Sequence, residues 1–183
     1  QSRAYGSDSI EVIAHETHMS WVFLVGKKAY KLKKPVRFPY LDFSTLEKRE
    51  AVCWAELKLN RRLAPFVYID VKPLSFSSKG LTIGGQGAIV DWLVEMQRLD
   101  RQFMLDELIS RRRLTVEQLN HLSRILAAFY RKAPSLRPQP AEYLAGWRER
   151  LSENRSVLFD SRFPLPLGAL CRIDMAQRRF LAE

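Results

Sequence analysis

The chain has 183 residues, a length typical of one domain, or of one domain and part of another. Hydrophobic residues make up 46% of it, enough to form a core, and no apolar run reaches the length of a membrane span. The formal net charge of +10 raises nucleic acids and other anions as partners, but the basic residues are dispersed and no nucleic-acid-binding motif accompanies them. The two cysteines predict neither a disulfide framework nor a zinc site, and the lack of a signal pattern indicates the cytoplasm.

The first part of the chain predicts three short strands, Ile10–Ala14, Trp21–Val25 and Ala29–Lys33. The second and third are separated by a turn at Gly26, which is typical of an antiparallel hairpin. The link between the first two strands, His15–Ser20, contains two histidines three residues apart. No acidic motif accompanies these histidines, and we predict no metal site.

Alternation along the third strand places its lysines on a defined face. Side chains two residues apart share a face of a strand, so Ala29, Lys31 and Lys33 point one way and Tyr30 and Leu32 the other. A lysine on a covered face requires an acidic partner or an anionic ligand. The strand alone favours an ordinary edge whose lysines are solvated.

A helix is predicted after this hairpin. Ser44 and Glu47 have the spacing of a capping box, with Ser44 as the cap, and the helix should run to about Leu63 and stop before Pro65. One stripe at helical spacing comprises Val52, Glu56, Leu59 and Leu63. Glu56 is the acidic member of this stripe and requires a cationic partner, for which Lys31 is the candidate.

More strands are predicted next. Tyr68–Val71 forms one that Pro73 breaks, the Gly84–Gln86 turn joins Leu81–Ile83 to Gly87–Val90 as a hairpin, and Trp92–Leu99 closes the sheet. Helical patterns follow. The first is Phe103–Ser110 and the last two are Glu142–Val157 and Leu170–Glu183. Between them lies a helix with a capping box of Thr115 and Gln118, whose core stripe is formed by Leu119, Leu122, Leu126 and Phe129.

The order of a strand lysine, a helix glutamate and further strands is the plan of the kinase N-lobe. The segments ETHMSWVFLVGKKAYKLKKPV, LDFSTLEKRE and AELKLNRRLAP resemble the aminoglycoside-phosphotransferase-like proteins of the protein-kinase-like fold. Their likeness is greatest to the bacterial group whose kinase-like half is often fused to a P-loop ATPase half. The resemblance is specific between Glu16 and Pro65 and weaker beyond.

This resemblance implies a site for ATP. Lys31 of the Ala29-x-Lys31 motif would hold the α- and β-phosphates, Glu56 would align it, and Ala29 would also contact the nucleotide. Thr17 and Ser20 would cover the phosphates. The hinge that contacts adenine would be Glu95, Met96 and Gln97, with the backbone of Glu95 and Gln97 supplying the hydrogen bonds.

The family's catalytic motifs, a His-Gly-Asp followed by an Asn and a further Asp that hold Mg²⁺, do not occur in the sequence. We expect them, and the Mg²⁺ ligands, downstream of Glu183, so that this part would not transfer phosphate alone. The apolar surface of a truncated lobe would favour self-association, with Phe129, Trp147, Ile173 and Phe180 as candidates. The acceptor is an unidentified small molecule, and no membrane partner is expected.

The predicted fold class is α+β. Residues 1–98 would form a protein-kinase-like, nucleotide-binding N-lobe with a five-stranded antiparallel sheet and one helix. Residues 99–183 would form a partial helical C-lobe, truncated before the catalytic loop. Two alternatives stay open: a non-catalytic kinase-like regulatory or interaction module, and a basic nucleic-acid-binding protein that only the net charge favours.

Overall fold

A computed structural model of the chain describes residues 11–135, 137 and 139–182. It combines an antiparallel sheet with helices, so the α+β class is confirmed. The chain divides into two compact units, Gln1–Arg131 and Lys132–Glu183. No described helix is both long enough and apolar enough to cross a bilayer.

Eight strands occur in the described part of the first unit. They are β1 Val12–Glu16, β2 Ser20–Val25, β3 Lys28–Lys33, β4 Arg37–Phe38, β5 Leu41–Asp42, β6 Tyr68–Ser77, β7 Gly80–Ile83 and β8 Ala88–Gln97. Six of them form one antiparallel sheet in the order β1-β2-β3-β8-β6-β7, while β4 and β5 pair separately. The hairpin of β2 and β3 is confirmed, with Gly26 at a φ of 55° that suits glycine in its turn. Ile10, the predicted start of the first strand, lies outside the described residues.

The sheet departs from the prediction around β6. The sequence predicts five strands and a break at Pro73, but β6 continues through Pro73 to Ser77 and the sheet has six strands. The Pro73 carbonyl accepts a hydrogen bond from the Gly84 amide at 2.8 Å. Because the nitrogen and the carbonyl of one strand residue point to the same side in an antiparallel pair, the Pro73 ring nitrogen points toward Gly84 and away from β8. No ladder hydrogen bond to β8 is therefore lost. The predicted Gly84–Gln86 hairpin is also wrong, because β6 lies between β7 and β8 and pairs with both.

One helix, α1 (Leu46–Asn60), covers one face of the sheet at β6 and β8. Its cap is Thr45, whose hydroxyl accepts from the Lys48 amide at 3.3 Å, and not the predicted Ser44. The Ser44 hydroxyl instead donates to Asp42 at 2.5 Å. The helix ends three residues before the predicted Leu63, and a turn follows it.

The buried face of α1 also differs from the predicted stripe. The buried residues of α1 are Arg49, Cys53 and Leu57, whereas Leu59 and Leu63 are exposed. Cys53 and Leu57 join Val71 and Val94 in the core, against Tyr68, Trp92 and Met96. Glu56 is the member of the predicted stripe that the helix turns toward the lysines of β3.

Four more α-helices are described. They are α2 Leu105–Ser110, α3 Val116–Lys132, α4 Pro140–Leu158 and α5 Leu167–Phe180, and a 3₁₀ helix, Arg101–Phe103, precedes α2. The capping box of α3 is confirmed by reciprocal hydrogen bonds between Thr115 and Gln118. No residue of α3 is buried in the described structure, and its predicted role as a core helix of a second lobe stays a prediction. Of the residues predicted to be bare, Trp147, Ile173 and Phe180 are exposed, whereas Phe129 is half-buried with the Arg62 guanidinium 4.5 Å from the centre of its ring. Self-association stays a prediction.

Candidate functional site

Three side chains of β3 face α1, as the strand alternation predicts. Ala29 lies opposite Met96, and Lys31 lies opposite Val94, a residue of the core beneath α1. The Lys31 ammonium donates to Glu56 Oε1 at 2.8 Å. The predicted ion pair between strand and helix is therefore confirmed, while its role toward a nucleotide stays a prediction.

A second lysine binds the same carboxylate. The Lys33 ammonium donates to Glu56 Oε2, and it also lies 5.4 Å from the centre of the Phe43 ring. Lys33 is buried, at 5% exposure. The strand alternation places Lys33 on this face, two residues after Lys31, but no pattern in the sequence assigns it to Glu56. We call Lys31, Lys33 and Glu56 the two-lysine cluster.

The two-lysine cluster keeps Glu56 ionised. Burial by itself raises the pKa of this carboxyl, but the hydrogen bonds and charges of Lys31 and Lys33 together outweigh burial and hold the pKa below its ordinary value. Two ammonium groups then face one carboxylate, which leaves one positive charge uncompensated. An excess positive charge in a partly buried setting favours an anionic ligand.

A cleft of about 1170 Å³ lies on the same side of the sheet, within the first compact unit. Three residues predicted to contact a nucleotide line it: Ala29, Met96 and Gln97. Aliphatic side chains of β1 and β2 form another part of the wall, namely Ile13, Val22 and Leu24.

Both β3 and α1 carry residues of the cleft lining close to residues of the two-lysine cluster. Ala29 lines the cleft and stands two residues before Lys31, a spacing of about 7 Å along one strand face. Asn60 also lines the cleft, and its amide donates to the Glu56 carbonyl at 2.9 Å. An anionic group attached to a molecule in the cleft could therefore approach Lys31.

Thr17 and Ser20 form the tight turn between β1 and β2. The Thr17 hydroxyl donates to the Ser20 carbonyl at 2.9 Å and accepts from the Ser20 amide at 3.0 Å. The Ser20 residue is buried at the start of β2. Neither residue is among those that line the cleft, and neither are Lys31 and Glu56, so the predicted contact of Thr17 and Ser20 with phosphates stays a prediction.

The predicted hinge divides between the two faces of the sheet. Met96 and Gln97 line the cleft, but the Glu95 side chain lies on the opposite face, where Lys28 donates to it and the Tyr30 hydroxyl lies at 3.5 Å. The Gln97 amide donates to the Val67 carbonyl at 2.7 Å. A hydrogen bond from this amide to adenine would therefore replace a bond that the sheet already makes.

A second ion pair between α1 and the sheet was missed by sequence reasoning. Arg49 Nε donates to Asp91 Oδ1 at 2.8 Å, and Arg49 Nη1 donates to the Phe43 carbonyl at 3.1 Å. The available signal was the spacing of Arg49 four residues before Cys53. Because Arg49 lies on α1 and Asp91 on β8, this pair attaches the part of α1 that precedes Glu56 to the sheet.

Comparison with known proteins finds relatives without an assigned activity. No family model and no solved structure matches the chain. It is similar to the uncharacterized proteins Rv2004c of Mycobacterium tuberculosis and Mb2027c of Mycobacterium bovis. Each is 30% identical to it over 154 residues, which are 81% of this chain and 29% of the relative. The chain thus spans less than a third of the length of the curated relatives it matches.

Proposed function

We propose that the first compact unit binds ATP and is the nucleotide-binding N-lobe of a phosphotransferase that resembles the aminoglycoside-phosphotransferase-like, protein-kinase-like group. The observation that carries this proposal is the ion pair of Lys31 and Glu56 beside a cleft lined by Ala29 and Met96. Lysine in such a pair is a phosphate ligand in kinases.

The described residues fit the two chemically different ends of ATP. The cleft offers aliphatic surface from Ile13, Val22 and Leu24, which suits a flat base. The two-lysine cluster offers an excess positive charge, which suits phosphates. The two-lysine cluster lies on the same face of β3 as Ala29, which lines the cleft, and this supports one ligand that spans the cleft and the cluster.

Mg²⁺ fits the described residues less well. No group of three or more His, Cys, Asp or Glu side chains that could hold a metal ion occurs in the part of the chain that the structure describes. Mg²⁺ bound with ATP would therefore be held by the phosphates, and we assign no described residue to it.

The proposal is tested by a thermal unfolding titration with MgATP. A ligand at about 100 times its Kd adds about 2.7 kcal/mol to the free energy of unfolding, so saturable stabilisation is expected. The Lys31→Met variant should lose most of this stabilisation because it lacks the phosphate ligand. Lys34→Met is the matched control, since Lys34 pairs with Glu16 and not with Glu56.

Other outcomes separate the alternatives. Stabilisation by MgATP without turnover in an ATPase or kinase assay agrees with a lobe that does not transfer phosphate alone, or with a non-catalytic module. Absence of stabilisation by MgATP would refute the nucleotide proposal. Binding of mixed-sequence nucleic acid with a steep salt dependence would favour the nucleic-acid alternative instead.

A further inference from the structure

The two lysines that pair with Glu56 differ in the solvent exposure of their side chains. The Lys33 side chain is 7% exposed, whereas the Lys31 side chain is 29% exposed. Lys33 is bounded by the Glu56 carboxylate and by the Phe43 ring. Only Lys31 therefore combines contact with Glu56 and enough exposure to accept a ligand.

This difference decides where the uncompensated positive charge is available. A single ammonium paired with a single carboxylate is neutral, and it attracts an anion weakly. A second, buried ammonium on the same carboxylate restores a net charge of one at the pair. Because the Lys33 ammonium is enclosed, a ligand can contact this excess charge only at the more exposed Lys31 ammonium.

We propose that Lys33 is a positioning residue: it compensates Glu56 from the buried side, so that Lys31 keeps its positive charge for a polyphosphate ligand in the adjoining cleft. The inference rests on the proposed nucleotide function and deepens it. Lys33 does not contact the ligand. It acts on the ligand through Glu56 and Lys31.

The first test needs no variant, and it compares the protein without and with MgATP. Wild-type protein is treated with a small acetylating reagent, and the acetylation of each lysine is followed over time by tandem mass spectrometry of chymotryptic peptides. Lys31 should react at least about tenfold faster than Lys33, since only exposed amines meet the reagent. Saturating MgATP should slow the reaction of Lys31 and leave Lys33 unchanged.

The second test uses Lys33→Met, with Lys34→Met as the matched control and Lys33→Arg as the conservative variant. We expect Lys33→Met to raise the Kd for MgATP about tenfold, which is about 1.4 kcal/mol. The acetylation of Lys31 should also slow, because Lys31 becomes the only partner of Glu56. Lys33→Arg should restore both quantities in large part, and Lys34→Met should change neither.

The outcomes distinguish this inference from the proposal on which it rests. Equal reactivity of Lys33 and Lys31 in the wild type, or protection of Lys33 by MgATP, would overturn the inference even if MgATP binds. A folded Lys33→Met variant with wild-type Kd and wild-type Lys31 acetylation would also overturn it. Failure of wild-type protein to bind MgATP, with the expected reactivity of both lysines, would reject the nucleotide function itself.

Discussion

Glu56 is the residue on which both the stability and the charge of the site depend. Its two oxygens each accept from a different ammonium group, and one of those groups is nearly enclosed. Removing the carboxylate leaves two positive charges facing each other without an acid. A buried charge deprived of its partner destabilises a fold by about 3 kcal/mol or more.

We therefore predict that Glu56→Gln is destabilised at pH 7 and that the difference from wild type shrinks in acid. The pKa of Glu56 is lower in the folded state than its ordinary value of 4.5. The carboxylate thus stabilises the fold above that value, and this stabilisation is lost as the pH falls through the folded pKa. Urea unfolding of both proteins between pH 7 and pH 3 measures the difference. A constant difference across this range would contradict the assignment.

The two cysteines should differ in reactivity. Cys53 is fully buried in the core, and burial raises the pKa of its thiol to about 11. Cys171 is exposed. At pH 8 a thiol with that pKa is ionised to only about 0.1%, and the thiolate is the reactive form. A thiol-specific chromogenic reagent should titrate one cysteine in native protein and two in denaturant. Rapid reaction of both in native protein would show that the core beneath α1 opens.

At the scale of elements, the placement of α1 depends on the ion pair between Arg49 and Asp91. Both side chains are largely buried, at 10% and 16% exposure. This pair and the two-lysine cluster attach the same helix to the sheet at two points. The Arg49–Asp91 pair therefore influences the position of Glu56 relative to Lys31 and Lys33.

We predict that Arg49→Met and Asp91→Leu are each destabilising by about 3 kcal/mol, since each leaves one buried charge unpaired. The double variant should cost less than the sum of the two, because both charges are gone. Urea unfolding of the four proteins gives this coupling energy. Additive effects would mean that the two residues do not depend on each other. Lys48→Met, which removes a surface pair with Asp42, is the control and should change stability by less than about 1 kcal/mol.

Some elements could be predicted from the sequence because their signals are local. The β2–β3 hairpin follows from two strand-like runs around Gly26, and the alternation of β3 gives the face on which Lys31 meets Glu56. The capping box at Thr115 is also a local pattern. These features need no knowledge of the distant chain.

Other features depend on partners that are distant in sequence. A search for apolar residues selects Leu59 and Leu63, but α1 buries Arg49, whose charge is compensated by Asp91 on another element. Pro73 continues a strand because its ring nitrogen points away from β8, and this orientation depends on the strand order. The ion pair of Lys33 with Glu56 was likewise not predicted, because Lys31 had already been assigned as the partner of that carboxylate.

At the scale of the whole molecule, the candidate site belongs to one compact unit. The residues that line the cleft and the two-lysine cluster all lie within Gln1–Arg131. This unit also contains its own core around Cys53 and Val94. The described part of the second unit, Lys132–Glu183, contains α4 and α5.

We predict that a chain of residues 1–131 retains MgATP binding, with a Kd within about threefold of the full chain. The physical reason is that every residue assigned to the ligand is retained. Isothermal titration calorimetry of both chains provides the comparison, and circular dichroism checks the fold of the shorter one. Loss of binding by a folded 1–131 chain would show that the second unit contributes contacts to the nucleotide.

The strand order has a consequence for the growing polypeptide. Pairing of β3 with β8 joins Tyr30 to a residue 65 positions later, Glu95. Ribosomes add about 5 to 20 residues per second, so the β3 edge emerges several seconds before its partner. Such an open edge is a template for aggregation, and lysines are among the residues that blunt it. Lys28, Lys31 and Lys33 lie along this edge and pair with Glu95 and Glu56 in the folded protein. We expect the same three charges to oppose the association of nascent chains before those partners emerge.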